Sequence, residues 1–167
     1  MKTKVITRYR AAVCAVMMSM LPGHLSAENT AENIQTIRLL GLEDARQIAD
    51  AAQTRATQDG WNVVITVVDA GGHLIYLRRM DGTQLGSIDI AIRKAASAVH
   101  FQRPTKALQD LIAEDNLTFV LSLPNVTAVE GGVPIHHDGQ VIGAIGISGV
   151  TATQDGIIAA AGVEGFR

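Results

Sequence analysis

The stretch that decides the fold is Asn62-Val-Val-Ile-Thr-Val-Val-Asp69, then Ala70-Gly71-Gly72, then His73-Leu-Ile-Tyr-Leu-Arg-Arg-Met80. Its first run is almost wholly apolar and β-branched, which is typical of a strand that is covered on both faces. The paired glycines tolerate positive φ and therefore indicate a turn. We predict that 62–69 and 73–80 form an antiparallel hairpin.

A second hairpin is predicted near the carboxyl end, where Asp138-Gly139 separates the apolar runs 133–137 and 140–148. Helices are predicted over 42–59, 86–100, 106–115 and 154–162, while 117–129 is ambiguous. In the first helix the apolar residues recur every three or four positions, which predicts one buried face: Ala45, Ile48, Ala49, Ala52 and Ala56. Because the apolar strands need cover on both sides, we expect an α+β fold, a three-layer α/β/α sandwich with a central antiparallel sheet.

The first 27 residues have the pattern of a secretory signal peptide. A basic start (Lys2, Lys4, Arg8 and Arg10) precedes an 11-residue apolar run and a small residue, Ala27. The run is too short for a membrane span, which needs about 20 residues, so we expect no stable membrane insertion. We therefore predict a signal peptide over 1–27, a flexible lead-in over 28–41 and a single domain over 42–167, in a periplasmic or secreted protein.

Charge and cysteine content exclude several classes of function. Residues 28–167 hold 10 basic and 16 acidic side chains, a net charge of about −6 that does not favour nucleic acid as a partner. The single cysteine, Cys14, lies within the predicted signal. Disulfides, thiol catalysis and cysteine metal sites are therefore not expected in the exported chain.

Two histidines are the leading candidates for a ligand contact. His73 follows the Gly71-Gly72 turn, where the backbone can approach a ligand closely, and His100 ends the second helix. Either could offer a neutral ring nitrogen to haem iron. Alternatively, His73 is a turn residue bonded to backbone, and His100 is a charge at a helix end.

Arginine and lysine side chains around the first hairpin could bind a carboxylate. Arg78 and Arg79 are neighbours at a strand end and so point to opposite faces. One could pair with Asp81 or Asp89, and the other could clamp a haem propionate or an organic acid. Lys94 could reach the same ligand, although a salt bridge is its simpler interpretation.

Two further patterns favour structural roles. The glycines Gly143, Gly146 and Gly149 lie within a strand rather than in a strand-to-helix turn, so close packing by a helix or subunit is favoured over a nucleotide site. His136 and His137 are adjacent on a strand, point to opposite faces and cannot together hold one ion. We expect both to be exposed at the hairpin tip.

Five ordered motifs resemble the GlcG/HbpS family, a haem-binding or haem-degrading family that includes the C-terminal domain of PduO. The resemblance covers roughly 42–162 and rests on Val68-Asp-Ala-Gly-Gly-His-Leu-Ile75, Arg79-Met-Asp-Gly82, Lys94-Ala-Ala-Ser-Ala98, Glu130-Gly-Gly-Val-Pro134, and Asp138-Gly-Gln-Val-Ile-Gly-Ala-Ile-Gly-Ile-Ser-Gly149 with Gln154-Asp155. It implies the same sandwich fold and a homo-oligomer, often an octamer.

The resemblance leaves two functional hypotheses. The first is an exported protein that binds haem or another tetrapyrrole, and that degrades or senses it, with His73 or His100 on the iron and Arg79 and Lys94 as further contacts. The second is an enzyme or accessory protein acting on a small organic acid in a catabolic pathway. In that case Asp69, Arg79, Asp81 and Lys94 would line one acid/base pocket without a metal.

Overall fold

The computed structural model describes Thr36 and residues 38–166. The predicted signal peptide and most of the lead-in lie outside the described residues. The described residues form four helices: α1 (Leu42–Gln58), α2 (Ser87–His100), α3 (Thr105–Ala113) and α4 (Ala152–Glu164). The same part of the chain forms four strands: β1 (Val64–Asp69), β2 (Leu74–Arg79), β3 (Gly132–His137) and β4 (Gln140–Ser148). The ambiguous segment contains only a short 3-10 helix, Thr118–Ser122.

The four strands form one antiparallel sheet in the order β2-β1-β4-β3. Each hairpin pairs its own two strands, and β1 joins β4 in the middle. The central strands are buried along nearly their whole length, whereas β2 is half-exposed at one edge. The continuous apolar run of β1 therefore corresponds to a strand covered on both faces, as predicted.

Helices cover both faces of the sheet, which confirms the predicted α/β/α sandwich. Ile65 and Val67 face the larger core with α1 and α4, while Val68 packs with α2 on the other face. The buried face of α1 is the predicted set of alanines and Ile48. Leu40, within the predicted lead-in, is also buried in the larger core.

The buried side of α2 includes a lysine and a serine rather than its isoleucines. Ala91, Lys94 and Ser97 are buried, whereas Ile88 and Ile92 are only half-buried. The reason is the close approach of the α2 backbone to the sheet: a side chain at Gly146 would collide with the carbonyl oxygen of Ala91. This contact confirms that the strand glycine serves packing.

Candidate functional site

The turn between β1 and β2 is organised by one carboxylate. Oδ1 of Asp69 accepts hydrogen bonds from the backbone N–H of Gly71 at 2.8 Å and of His73 at 2.9 Å. Gly72 has φ +83°, a left-handed conformation that a side chain would strain. Burial alone would raise the pKa of Asp69, but these backbone donors and His73 hold it below its ordinary value.

His73 and His100 lie on either side of this turn, as the sequence suggested. Nε2 of His100 is 3.2 Å from the carbonyl oxygen of Gly71, and a side chain at Gly72 would come within 2.7 Å of the same nitrogen. The His73 side chain is 82% exposed, and its Nδ1 lies 3.3 Å from Oδ1 of Asp69. The His73 ring thus contacts a carboxylate rather than the backbone, and the His100 ring contacts the turn backbone from the end of α2, so the two rings lie at one turn.

The geometry of His73 suits a metal ligand. In the neutral tautomer that carries its proton on Nδ1, beside Oδ1 of Asp69, the unprotonated nitrogen is Nε2, and this side chain is largely exposed. A carboxylate that fixes the tautomer in this way is the usual second partner of a metal-bound histidine. Within the described residues, no group of three or more His, Cys, Asp or Glu side chains is placed to hold a bare metal ion.

Arg79 lies at the opposite end of β2 from these histidines. It pairs with Val64, whereas Leu74, beside His73, pairs with Val68. Five residues at about 3.3 Å each separate the two positions by about 17 Å. Arg79 is exposed, and among the described residues it takes part in no ion pair.

Arg78 pairs with a helix rather than with its own hairpin. Its Nη1 lies 2.7 Å from Oδ1 of Asp50 on α1, and its Nη2 donates to the Tyr76 hydroxyl at 2.7 Å. The prediction that one of the two arginines pairs with Asp81 or Asp89 is wrong for the described residues, because Arg78 pairs with Asp50 and Arg79 takes part in no ion pair.

Lys94 is buried in an ion pair. Its Nζ donates to Oδ2 of Asp155 at 2.7 Å, and both side chains are only 2% exposed. Oδ1 of Asp155 accepts from the backbone N–H of Val150 at 3.3 Å. Burial raises the pKa of Asp155, against the opposing effect of Lys94 and the backbone donors. The salt-bridge interpretation of Lys94 is confirmed, and this pair takes the place of the ligand contact expected of it.

These positions correct the idea of one pocket between residues 69 and 100. Asp69 and the histidines lie at one end of the sheet, Arg79 and Asp81 lie at and just beyond the other end of β2, and Lys94 is buried with Asp155. The acid/base pocket expected for a small organic acid is therefore not formed. Residues at the two ends of β2 are close in sequence but lie a full strand length apart in the structure.

All histidines of the described residues lie at the same end of the sheet. Gly143 pairs with Asp69 on one side and with Ile135 on the other, so both hairpin turns are at this end. His136 and His137 therefore lie at the same end as His73, roughly 14 Å away across three strand spacings.

A cleft of about 610 Å³ opens at this end along the outer edge of β3. It is lined by residues 133–138, by the turn between α2 and α3 (residues 102–104), by Arg38 and by the end of α4. His136 and His137 both line it, although their side chains alternate, because β3 is an edge strand that the cleft can reach from both faces. His137 is half-buried rather than exposed as predicted, since Nη1 of Arg38 contacts its ring.

No helix of the described residues has the length and apolar character that a membrane crossing requires.

Comparison with known proteins places the chain in a family. A family model described as haem degrading protein HbpS-like matches residues 40–164. Protein GlcG of Escherichia coli strain K12 is 39% identical over 115 residues, which are 69% of this chain and 85% of GlcG.

Solved structures agree with this placement. The Klebsiella pneumoniae protein ORFY superposes with a TM-score of 0.75 at 32% identity, covering 80% of this chain and 94% of ORFY. The PduOC:heme complex superposes with a TM-score of 0.69 at 31% identity, covering 77% of this chain and 95% of that one. The chain therefore belongs to the HbpS-like family, the family that the motifs around the two hairpins indicated.

Proposed function

We propose that this protein binds haem at the end of the sheet where its histidines lie, with Nε2 of His73 as the leading candidate for the iron ligand and His100 as the alternative. The observation that carries the proposal is the Asp69–His73 contact, because it leaves an exposed ring nitrogen free for iron. The family description and the similarity to the PduOC:heme complex support haem as the ligand. When bound, haem would supply iron redox chemistry.

The other candidate contacts do not belong to this site. Arg79 is about 17 Å away along β2, and Lys94 is committed to Asp155. The residues of this chain would therefore bind and orient the haem through the turn itself. Asp69 would hold the His73 ring in place, and the carbonyl of Gly71 would do the same for His100.

Hemin titration followed by Soret absorbance tests this proposal. We expect a saturable shift near one hemin per subunit, and its loss in the His73→Ala/His100→Ala double variant. The matched control is His136→Ala/His137→Ala, which removes two histidines from the same end of the sheet. An unchanged titration of the first double variant would reject these ligands, and no saturable shift in the wild type would reject haem binding itself.

We further propose that the protein is exported and acts in the periplasm or outside the cell. The basic and apolar pattern of residues 1–27 supports this location. Amino-terminal sequencing of the protein recovered from a periplasmic fraction should begin at Glu28. Recovery of the uncleaved chain from the cytoplasm would contradict export.

Turnover of the haem is the finer part of the proposal, suggested by the family description. With ascorbate as the electron donor and dissolved O2 as the oxidant, the Soret band of the hemin complex should decay faster than that of hemin mixed with the His73→Ala/His100→Ala variant. Equal decay would leave binding as the function and reject degradation at this site.

We also propose a homo-oligomer, for which an octamer is the expectation from the family resemblance. Large apolar side chains are exposed on the segment around the 3-10 helix, including Phe119 at 61% and Leu121 at 64%. Apolar patches of this kind mark interaction surfaces. Light scattering on the purified protein gives the subunit number directly.

A further inference from the structure

The cleft along β3 combines an apolar wall with a basic rim. Val133 and Phe166 contribute apolar surface, and Arg38 and Arg103 stand at the rim. The one acidic residue of the lining, Asp138, has a 90% exposed side chain with Oδ2 3.2 Å from Nε2 of His137. The volume of about 610 Å³ is that of a small-molecule pocket.

Arg38 and Arg103 each have guanidinium N–H groups that are available to a ligand. Nε of Arg103 donates to the carbonyl of Phe101 at 3.2 Å, and Nη1 of Arg38 contacts the ring of His137. Among the residues that the structure describes, neither guanidinium lies within 4.0 Å of a carboxylate. The arginines that form ion pairs there are Arg46, Arg55 and Arg78. A guanidinium presents five N–H donors, so several remain for an anion at each arginine.

The edge of β3 is closed to an added peptide strand. Pro134 has no N–H, and the N–H of Gly132 is already donated to Oγ1 of Thr105 at 2.9 Å. An incoming strand would find neither donor along the outer edge. The cleft therefore suits a compact molecule rather than an extended peptide.

We propose that this cleft binds a ligand that carries a carboxylate on an apolar body. The carboxylate would accept hydrogen bonds from Arg103 and Arg38, and the apolar body would lie against Val133 and Phe166. This site is separate from the turn that holds His73 and goes beyond the proposed haem ligand. The same chemistry has two sources, a free small organic acid or a propionate of hemin.

The test follows backbone amide shifts of residues 102–104 and 133–138 by NMR during titration with hexanoate, hexanamide and hemin. We expect saturable shifts with hexanoate and at least tenfold weaker binding of the neutral hexanamide, since a charge-assisted hydrogen bond contributes about tenfold or more. Arg38→Gln/Arg103→Gln should weaken hexanoate at least tenfold. Arg93→Gln, an exposed arginine on α2, is the matched control and should bind as the wild type does.

Hemin separates the two sources and the two proposals. If hemin shifts the cleft residues and binds more weakly to the double arginine variant, the carboxylate is a propionate. If hexanoate shifts the cleft residues and hemin does not, the carboxylate belongs to a free small organic acid. Equal binding of acid and amide, unchanged binding by the double variant, or no saturable shift with either carboxylate would overturn the cleft proposal. Loss of the Soret shift in the His73→Ala/His100→Ala variant tests the haem proposal independently.

Discussion

Replacing Lys94 by methionine should destabilise the protein severely. Nζ lies 2.7 Å from Oδ2 of Asp155, and both side chains are 2% exposed, so the variant would bury a carboxylate without its partner. Breaking a buried pair in this way costs about 3–5 kcal/mol, since the surviving charge lacks both water and a counter-ion. For a domain of this size the melting temperature should fall by roughly 10–20 °C.

The pH dependence of Lys94→Met gives the sharper test. Burial raises the pKa of Asp155 above its ordinary value of 3.8, so the folded state binds more protons than the unfolded state. Stability contributed by this group is therefore complete below about pH 4 and is lost as pH rises. Without Lys94 the effect grows, and the variant should lose more stability at pH 7 than at pH 4.

Urea unfolding at both pH values measures these differences. The double variant Lys94→Met/Asp155→Asn is the matched control, because the amide is uncharged and can still accept from Val150. It should be more stable than Lys94→Met alone at pH 7. A single-variant cost below about 1 kcal/mol, or the same cost at both pH values, would refute the account of a buried, mutually dependent pair.

Three other changes test the sheet, the turn and the surface. Gly146→Val should lower the free energy of unfolding by about 1–3 kcal/mol, because the new side chain meets the Ala91 carbonyl. Gly86→Ala is the control: the space around Gly86 is open, so its free energy of unfolding should stay within about 0.5 kcal/mol of the wild type. Urea unfolding measures both. Because the pKa of Asp69 is lowered in the folded state, the stability that this carboxylate contributes is present above pH 3.8 and is lost as pH falls. Asp69→Asn should therefore reduce the fall in the free energy of unfolding between pH 6 and pH 3. Urea unfolding across this range measures the slope. Leu121→Lys should reduce the subunit number seen by light scattering without lowering the melting temperature of the subunit; an unchanged subunit number would exclude this surface from the interface.

Local patterns predicted the elements of the fold well. The β-branched run before Asp69 and the glycine turn gave the first hairpin within two residues, and the spacing of alanines gave the buried face of α1. These signals depend on neighbours in sequence, where periodicity and turn chemistry operate. The need of the apolar strands for cover on both faces predicted the arrangement of layers, the family resemblance implied the same arrangement, and the structure confirms it.

The geometry of the site depended on contacts between distant segments. Lys94 is buried in an ion pair with Asp155, which lies 61 residues later in the first turn of α4, and nothing in the helix pattern indicates that partner. The sequence predicts only that His136 and His137 lie at a hairpin tip, because the pairing of β3 at a sheet edge is what lets one cleft reach both. Arg103 had no signal beyond its charge and its place before Pro104.

The blocked edge of β3 has a consequence for how molecules of this protein can associate through their sheets. Ribbon-like growth requires two open edges per molecule, one to receive a neighbour and one to offer to the next. Pro134 and Thr105 interrupt pairing along the β3 edge. Two molecules can still pair through their β2 edges, but the β3 edges of the resulting dimer do not add further molecules. We therefore expect the described domain not to form filaments by edge-to-edge pairing of its sheets at high protein concentration.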